Sequence, residues 1–334
     1  MTSEMARRLI PGAAVVVVRN GVVVRSSTYG LASLELGVPV TSRTLFQVAS
    51  VTKNMTGVAI MQLVDSGAFA LDDRVATRLD GLPAAWGPVT IRQLLSHTSG
   101  LPDMIVDPEK GTWLPGSRDS VLAQLAQMPV TPAGTAWAYN QTNYMLLGML
   151  IDKYARRPYV AHIRDRVLAP LGVTGVVFGD SRTVATGRTT EYSRLGIPAT
   201  ASKLTDLRAF HYEYPDALLT AAGIFMHAED LGRWLVALSR RAGLSRDAFE
   251  AMTTATSLSD GKPFHFPGST MGYGLGWIVV DAPPRRAFGG SGGGRAALFV
   301  YPDEGLAVGV LTNLQGAGPE SLVELVAGIY RDSK

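Results

Sequence analysis

The hydrophobic pattern divides the chain into β-rich ends and a helical middle. Near the start, "AAVVVVRNGVVVRSSTYG" holds two runs of β-branched residues that meet at Asn20-Gly21. That pair tolerates the positive φ of a tight turn, so the stretch reads as a hairpin. Near the other end, "GYGLGWIVVD", "RRAFGG", "RAALFVYP" and "LAVGVLTN" are short strand-like runs. They are separated by Pro283-Pro284, by Gly292 to Gly294 and by "PDEG", and they read as successive antiparallel strands. A final helix, "PESLVELVAGIYRDS", has Pro319 near its start and Leu322, Leu325, Val326 and Ile329 at helical spacing.

Between these ends the period lengthens. "SVTKNMTGVAIMQLVDSG" has helical periodicity and stops at a glycine, and "TIRQLLSH", "SVLAQLAQM", "NYMLLGMLIDKYA" and "AEDLGRWLVALSRRA" are further helices. The two ends are therefore expected to share one antiparallel sheet, with a helical region inserted between them, an α+β arrangement. The expected division is a single catalytic unit, 1–334, with a sheet subdomain over about 1–49 and 271–334 and a helical subdomain over about 50–270.

Composition narrows the function. A chain of 334 residues that is 46% hydrophobic buries a large core. The net charge is +3, with basic residues scattered, which gives no support to a nucleic-acid or membrane-surface partner. The absence of cysteine excludes disulfides, thiolate metal sites and a cysteine nucleophile. The longest apolar run, "PGAAVVVV", is too short for a membrane span. "MTSEMARRLIPG" lacks a signal-peptide core, so the chain as written reads as cytoplasmic, or as periplasmic or secreted if a leader has been removed. The five histidines lack metal-ligand spacing, and no H-E-x-x-H or P-loop is present, so no metal and no cofactor is expected.

"VASVTKNMTG" places Ser50 and Lys53 three apart within an apolar run. A helix opening at Ser50 brings the two side chains to one face. A serine hydroxyl is a weak nucleophile without a base, and lysine serves as that base only when its surroundings disfavour its charge; Val48, Val51, Met55 and Val58 supply apolar surroundings. Ser-x-x-Lys is the nucleophile motif of class A β-lactamases and penicillin-binding proteins. A serine at a helix start is also a common N-cap. In "AWAYNQTNYMLLGMLIDK", Tyr139 precedes a helix beginning near Thr142. A phenol beside an ammonium can shuttle a proton, and a tyrosine can equally well pack under a loop.

Taken in order, "LFQVASVTKNMTGVAIMQLVDSGAFALDDRVATRLDGLP", "TIRQLLSHTSGLPD", "AYNQTNYMLLG", "TAAGIFMHAEDLGRW" and "YPDEGLAVGVLTN" resemble the serine hydrolases of the class C β-lactamase superfamily. That group includes D-alanyl-D-alanine carboxypeptidases, family VIII esterases and related amidases and transacylases. The resemblance runs from about residue 10 to 330 and implies a β-lactamase/penicillin-binding-protein-like fold. It makes Ser50 the acylated nucleophile, Lys53 its base partner and Tyr139 the proton relay. His97, in "HTSGLPD", is implied to be structural.

Two departures stand out. The family commonly has Tyr-x-Asn, and here the third residue is Gln141, one methylene longer. The third motif is usually Lys-Thr-Gly or His-x-Gly, and the register taken from "YPDEGLAVGVLTN" puts Phe288, Gly289 and Gly290 there, followed by Ser291. A cation at that place would hold a substrate carboxylate. Phenylalanine cannot, which favours small neutral esters, with Arg286 or Arg295 as the substitute cation if the register differs. The resemblance sets the oxyanion hole at the backbone amides of Ser50 and Ser291, where a plain glycine turn is the alternative. "GGSGG" contains G-x-S-x-G, but a strand follows where that elbow needs a helix. Trp113, Phe210, Tyr212, Tyr214, Phe264 and Phe266 are candidates for an acyl-binding wall.

The expected function is an acyl-enzyme serine hydrolase of small neutral esters, with amidase or transacylase activity as a variant. The alternatives are a β-lactamase or D-alanyl-D-alanine carboxypeptidase, or a weakly catalytic penicillin- or peptide-binding protein. The expected partner is a small-molecule ester or amide, and the oligomeric state is left open.

Overall fold

Strand β1, Gly12–Arg19, is apolar at nearly every position because both of its faces are covered. Ala14, Val16 and Val18 join the core shared with the helical layer, while Ala13, Val15 and Val17 belong to a second core on the opposite face. The computed structural model describes residues 1–107, 112–194, 202–281 and 285–332. Asn20 and Gly21 take positive φ values of 50° and 74° and turn β1 into β2, Val22–Ser33, as the Asn-Gly pair predicts.

Among the described residues the main sheet has eight strands. Those beyond β2 are β3 (Val38–Pro39), β4 (Met271–Tyr273), β5 (Ile278–Val280), β6 (Ala287–Gly292), β7 (Ala296–Tyr301) and β8 (Leu306–Thr312). Their spatial order is β4-β5-β6-β7-β8-β1-β2-β3. β8 pairs antiparallel with β1, Ala13 opposite Thr312 and Arg19 opposite Leu306, so the two chain ends meet at the centre of the sheet. This is the large antiparallel sheet flanked by helices that the resemblance implies.

Helix α1, Thr52–Asp65, is buried from Thr52 to Met61. It packs with α2, Gln141–Ala155, and α3, Ala228–Ser239, on one side of the sheet. On the other side lie the helix Thr2–Arg8 and the terminal helix α4, Pro319–Asp332. Among the described residues no helix is long and apolar enough to cross a membrane.

Three sequence expectations change. "GYGLGWIVVD" is two strands, because Gly276 turns at φ 91° and β4 folds back on β5. In α4 the buried stripe is Leu322, Val323, Val326 and Ala327, whereas Leu325 and Ile329 are exposed, since the helix lies flat on the sheet. Ser50 sits in a 3-10 turn ahead of the helix and not at its first residue. Pro283-Pro284 lie outside the described residues.

Candidate active site

Ser50 occupies the turn Ala49–Val51 directly before α1. Ala49 takes a φ of 44°, a conformation that costs a residue bearing a Cβ roughly 1–2 kcal/mol. β6 is pressed against this turn: a Cβ at Gly292 would come within 2.1 Å of Val48 O and 2.7 Å of Ser50 N. Glycine is needed there for the strand to approach Ser50 at all.

Three residues along, the Lys53 side chain is buried, and its Nζ donates to Ser50 Oγ at 3.2 Å and to Ala221 O at 3.0 Å. The same Nζ stands 4.8 Å from the centre of the Tyr139 ring and 5.2 Å from that of Tyr144. Tyr139 thus meets Lys53 through its ring face.

Tyr139 is placed by a set of bonds between its segment and "HTSGLPD". Asn140 caps α2, its Oδ1 accepting from Asn143 N at 3.1 Å, and its Nδ2 donates to Leu101 O at 2.7 Å. Asn140 N donates to His97 Nδ1 at 3.1 Å, and Ala138 N to His97 O at 2.9 Å. Gln141 N donates to Asp103 Oδ1 at 2.9 Å. His97 is buried at φ 59°, with its ring 4.4 Å from the ring of Tyr139. Burial, reinforced by the charge of Lys53, holds the imidazole well below its ordinary range, so it is neutral and accepts at Nδ1. Burial likewise pushes the Asp103 carboxyl up, against the N–H of Gln141.

Two chambers meet at Ser50. The first, about 320 Å³, is walled by Trp137, Tyr139, Phe266, Tyr273 and Ile278 and floored by Gly290, with no charged side chain among its described lining residues. Phe264 stacks behind Trp137 at 4.9 Å. The second, about 520 Å³, carries Trp113, Gln141, Phe210, Tyr212 and Tyr214 together with Arg295. Arg295 is buried against Glu191 at 2.9 Å, with its guanidinium 5.1 Å from the ring centre of Tyr212. Burial works against its charge, but the Glu191 carboxylate more than offsets this and holds the guanidinium above its ordinary range. Its Nε has no partner among the described residues.

The structure brings Ser50, Lys53, Tyr139, Gln141, Gly290 and Ser291 to these chambers and their walls, and it removes Phe288 and Gly289. Alternate residues of a strand share a face, so Phe288, Gly290 and Gly292 all point toward the helical layer. Gly290 borders the chamber, and Phe288, two positions earlier, is buried in the core, edge-on to Phe249 and Trp277 at 5.3 and 5.5 Å. Gly289 faces the other way, onto Phe299. Arg286 is exposed and pairs with Asp303, so of the two alternative cations only Arg295 is at the cleft. The aromatic residues proposed for one wall are divided between the two chambers.

Asn54 was not foreseen, although it lies one helical turn after Ser50. Its Nδ2 donates to Gly276 O at 2.7 Å, its Oδ1 is buried without a partner among the described residues, and that oxygen fills the space a Cβ at Gly290 would need. Trp137, Tyr273 and Ile278 were also missed; Trp137 precedes Tyr139 by two and shares its face, a signal that alternation in an extended segment provides. Among the described residues no group of three or more His, Asp or Glu side chains is arranged to hold a metal ion.

The Beta-lactamase family profile matches residues 1–327. "Penicillin-binding protein 4" of Amycolatopsis lactamdurans is 28% identical over 328 residues, covering 91% of this chain and 81% of that protein. Other curated relatives extend well beyond the match, the chain spanning 61% of one and 36% of another. The octameric penicillin-binding protein homologue from Pyrococcus abyssi superposes with a TM-score of 0.83 at 25% identity, over 99% of this chain and 76% of that one. "EstCE1, a hydrolase with promiscuous acyltransferase activity" shares the fold, with a TM-score of 0.78 at 22% identity over 95% and 92% of the two chains.

Proposed function

This chain belongs to the beta-lactamase family, and on that footing we propose that it is a serine hydrolase that forms an acyl-enzyme on Ser50 and acts on esters or amides with a neutral group beside the scissile bond. The observation that carries the reading is the 3.2 Å contact of Lys53 Nζ with Ser50 Oγ at the junction of the two chambers. In the neutral form of Lys53, Nζ takes the proton from Ser50 Oγ as that oxygen attacks the carbonyl carbon. With β6 seated by Gly292 against Ser50, the partner amide moves two places along from Ser291, and the oxyanion lies toward the backbone amides of Ser50 and Gly293, the two residues both chambers share. Lys53 returns the proton by way of Tyr139 to the departing group, and water cleaves the Ser50 ester by the reverse relay.

The neutral preference no longer rests on Phe288. It is supported by the uncharged lining of the aromatic chamber, where an unpaired carboxylate would be costly to bury. p-Nitrophenyl butyrate is expected to give a burst followed by steady turnover, and acylation without turnover would favour a binding protein. A second reading, a peptidase or β-lactamase, draws on Arg295 in the other chamber and on the name of the Amycolatopsis relative. Preference for nitrocefin or a D-alanyl-D-alanine peptide over the ester would select it.

A further inference from the structure

Ser291 borders the aromatic chamber, and its hydroxyl is not free for substrate: Oγ donates to the carboxylate of Glu320, in the first turn of α4. A carboxylate therefore stands one hydrogen bond behind the chamber wall. Among the described residues no Lys or Arg forms an ion pair with Glu320. Arg8 reaches the same helix start, but Glu4 holds it at 2.9 Å and it is spent on Ala317 O, Gly318 O and Ser321 Oγ. Among the described residues the chamber's lining holds no charged side chain to answer Glu320.

We propose that Glu320 is a specificity-determining residue that makes the aromatic chamber reject anionic groups and prefer ammonium-bearing ones over their neutral analogues. The proposal rests on the serine-hydrolase reading and extends it: carboxylates are rejected as there, neutral substrates are accepted, and ammonium-bearing ones are accepted better still. A carboxylate lodged against Ser291 meets a like charge across a partly solvated wall, whereas an ammonium there gains a counter-charge that no other group supplies. An acidic residue in the first turn also suits the helix dipole, and that structural role alone would not make selectivity depend on substrate charge.

Two substrate series test this. One varies the leaving group: acetylthiocholine, S-butyl thioacetate and 3-(acetylthio)propanoate, with the released thiol read directly because the chain has no cysteine. The other varies the acyl group: p-nitrophenyl esters of 6-aminohexanoate, butyrate and hemisuccinate. In the series whose variable group enters this chamber, kcat/KM is expected to fall from ammonium to neutral to carboxylate. Glu320→Gln keeps the bond from Ser291 and should raise the carboxylate-to-neutral ratio about three- to thirtyfold, the range for unit charges several ångström apart in a partly solvated site. Glu320→Lys should reverse the order, and high salt should narrow the ratio in wild type but not in Glu320→Gln. Glu324→Gln, one turn along α4 where the carboxylate pairs with Arg331, should leave the ratio unchanged.

Ratios that stay within about twofold in both series for both Glu320 variants overturn the proposal. Turnover without charge discrimination counts against Glu320 alone. Should no ester turn over, the same ratio is read from the rates at which neutral and anionic aryl phosphonates label Ser50. Failure of every reagent to react overturns both this proposal and the serine-hydrolase reading.

Discussion

The two chambers share Ser50 and Gly293 but differ in what they ask of a ligand. The first is aromatic and uncharged at its surface, so it selects by shape and by the charge that can be tolerated near it. The second is lined by Arg295, whose charge Glu191 already answers, and by Glu213, which pairs with Arg182, so it offers charged and polar groups within an aromatic setting. On the proposed reading, a ligand with one apolar and one polar end would be oriented across Ser50. The reacting group and the discriminating groups come from different elements, the former from the start of α1 and the latter from loops and β6.

The largest expected effect removes what both chambers share. Ser50→Ala should lower kcat by about 10⁴-fold or more for substrates of either chamber, as loss of a nucleophile does. Mass spectrometry after phosphonate treatment should find the adduct on the Ser50 peptide, and more than about one per cent residual activity would reassign the nucleophile.

Next come the two partners. Lys53→Ala should cost about two to four decades and Tyr139→Phe about two, because the ring that packs on Lys53 survives in phenylalanine and only the hydroxyl is lost. The double variant should fall short of the sum of the two losses, since the groups act as one unit. Near-normal turnover by Tyr139→Phe would assign the leaving-group proton elsewhere.

Phe288 sharpens the comparison from outside the cleft. Phe288→Ala should destabilise by about 3–5 kcal/mol, the usual range for emptying a buried aromatic position, while the ratio of anionic to neutral substrates stays put. Denaturant unfolding alongside the substrate series reads both quantities. A change in selectivity at unchanged stability would mean that the ring reaches the chamber.

The smallest effect is a pH dependence. His97 has its folded pKa pushed below the unfolded value by burial and by Lys53, so the unfolded chain binds the extra proton. Its contribution is complete above about pH 6.5 and is lost as the pH falls below that, by at most about 1.4 kcal/mol per pH unit. His97→Asn retains an acceptor for Asn140 N and tolerates the positive φ. It should flatten the slope of unfolding free energy between pH 6.5 and 5, and an unchanged slope would place the titration in another group, His162 being the next buried histidine with a lowered pKa.

Much of the molecule was legible in the sequence because it depends on residues close together in the chain. The Asn20-Gly21 turn, the helix periods and the spacing of Ser50 and Lys53 are local, and a helix delivers residue i+3 to the same face whatever surrounds it. The pairing of the two chain ends also followed, from β-branched runs too apolar to lie anywhere but between two layers.

The third motif was misplaced for the complementary reason. A strand repeats every two residues, so Phe288 and Gly290 share a face and the sequence cannot say which stands beside Ser50. Only the seating of Gly292 against Val48 and Ser50 decides it. Asn54 filling the space at Gly290, Arg295 reaching the second chamber and Glu320 standing behind Ser291 are likewise contacts between distant segments. Spacing along a helix follows from backbone geometry, whereas the alignment of a strand with a helix start is set by packing across the whole core, and packing exists only once the chain is folded.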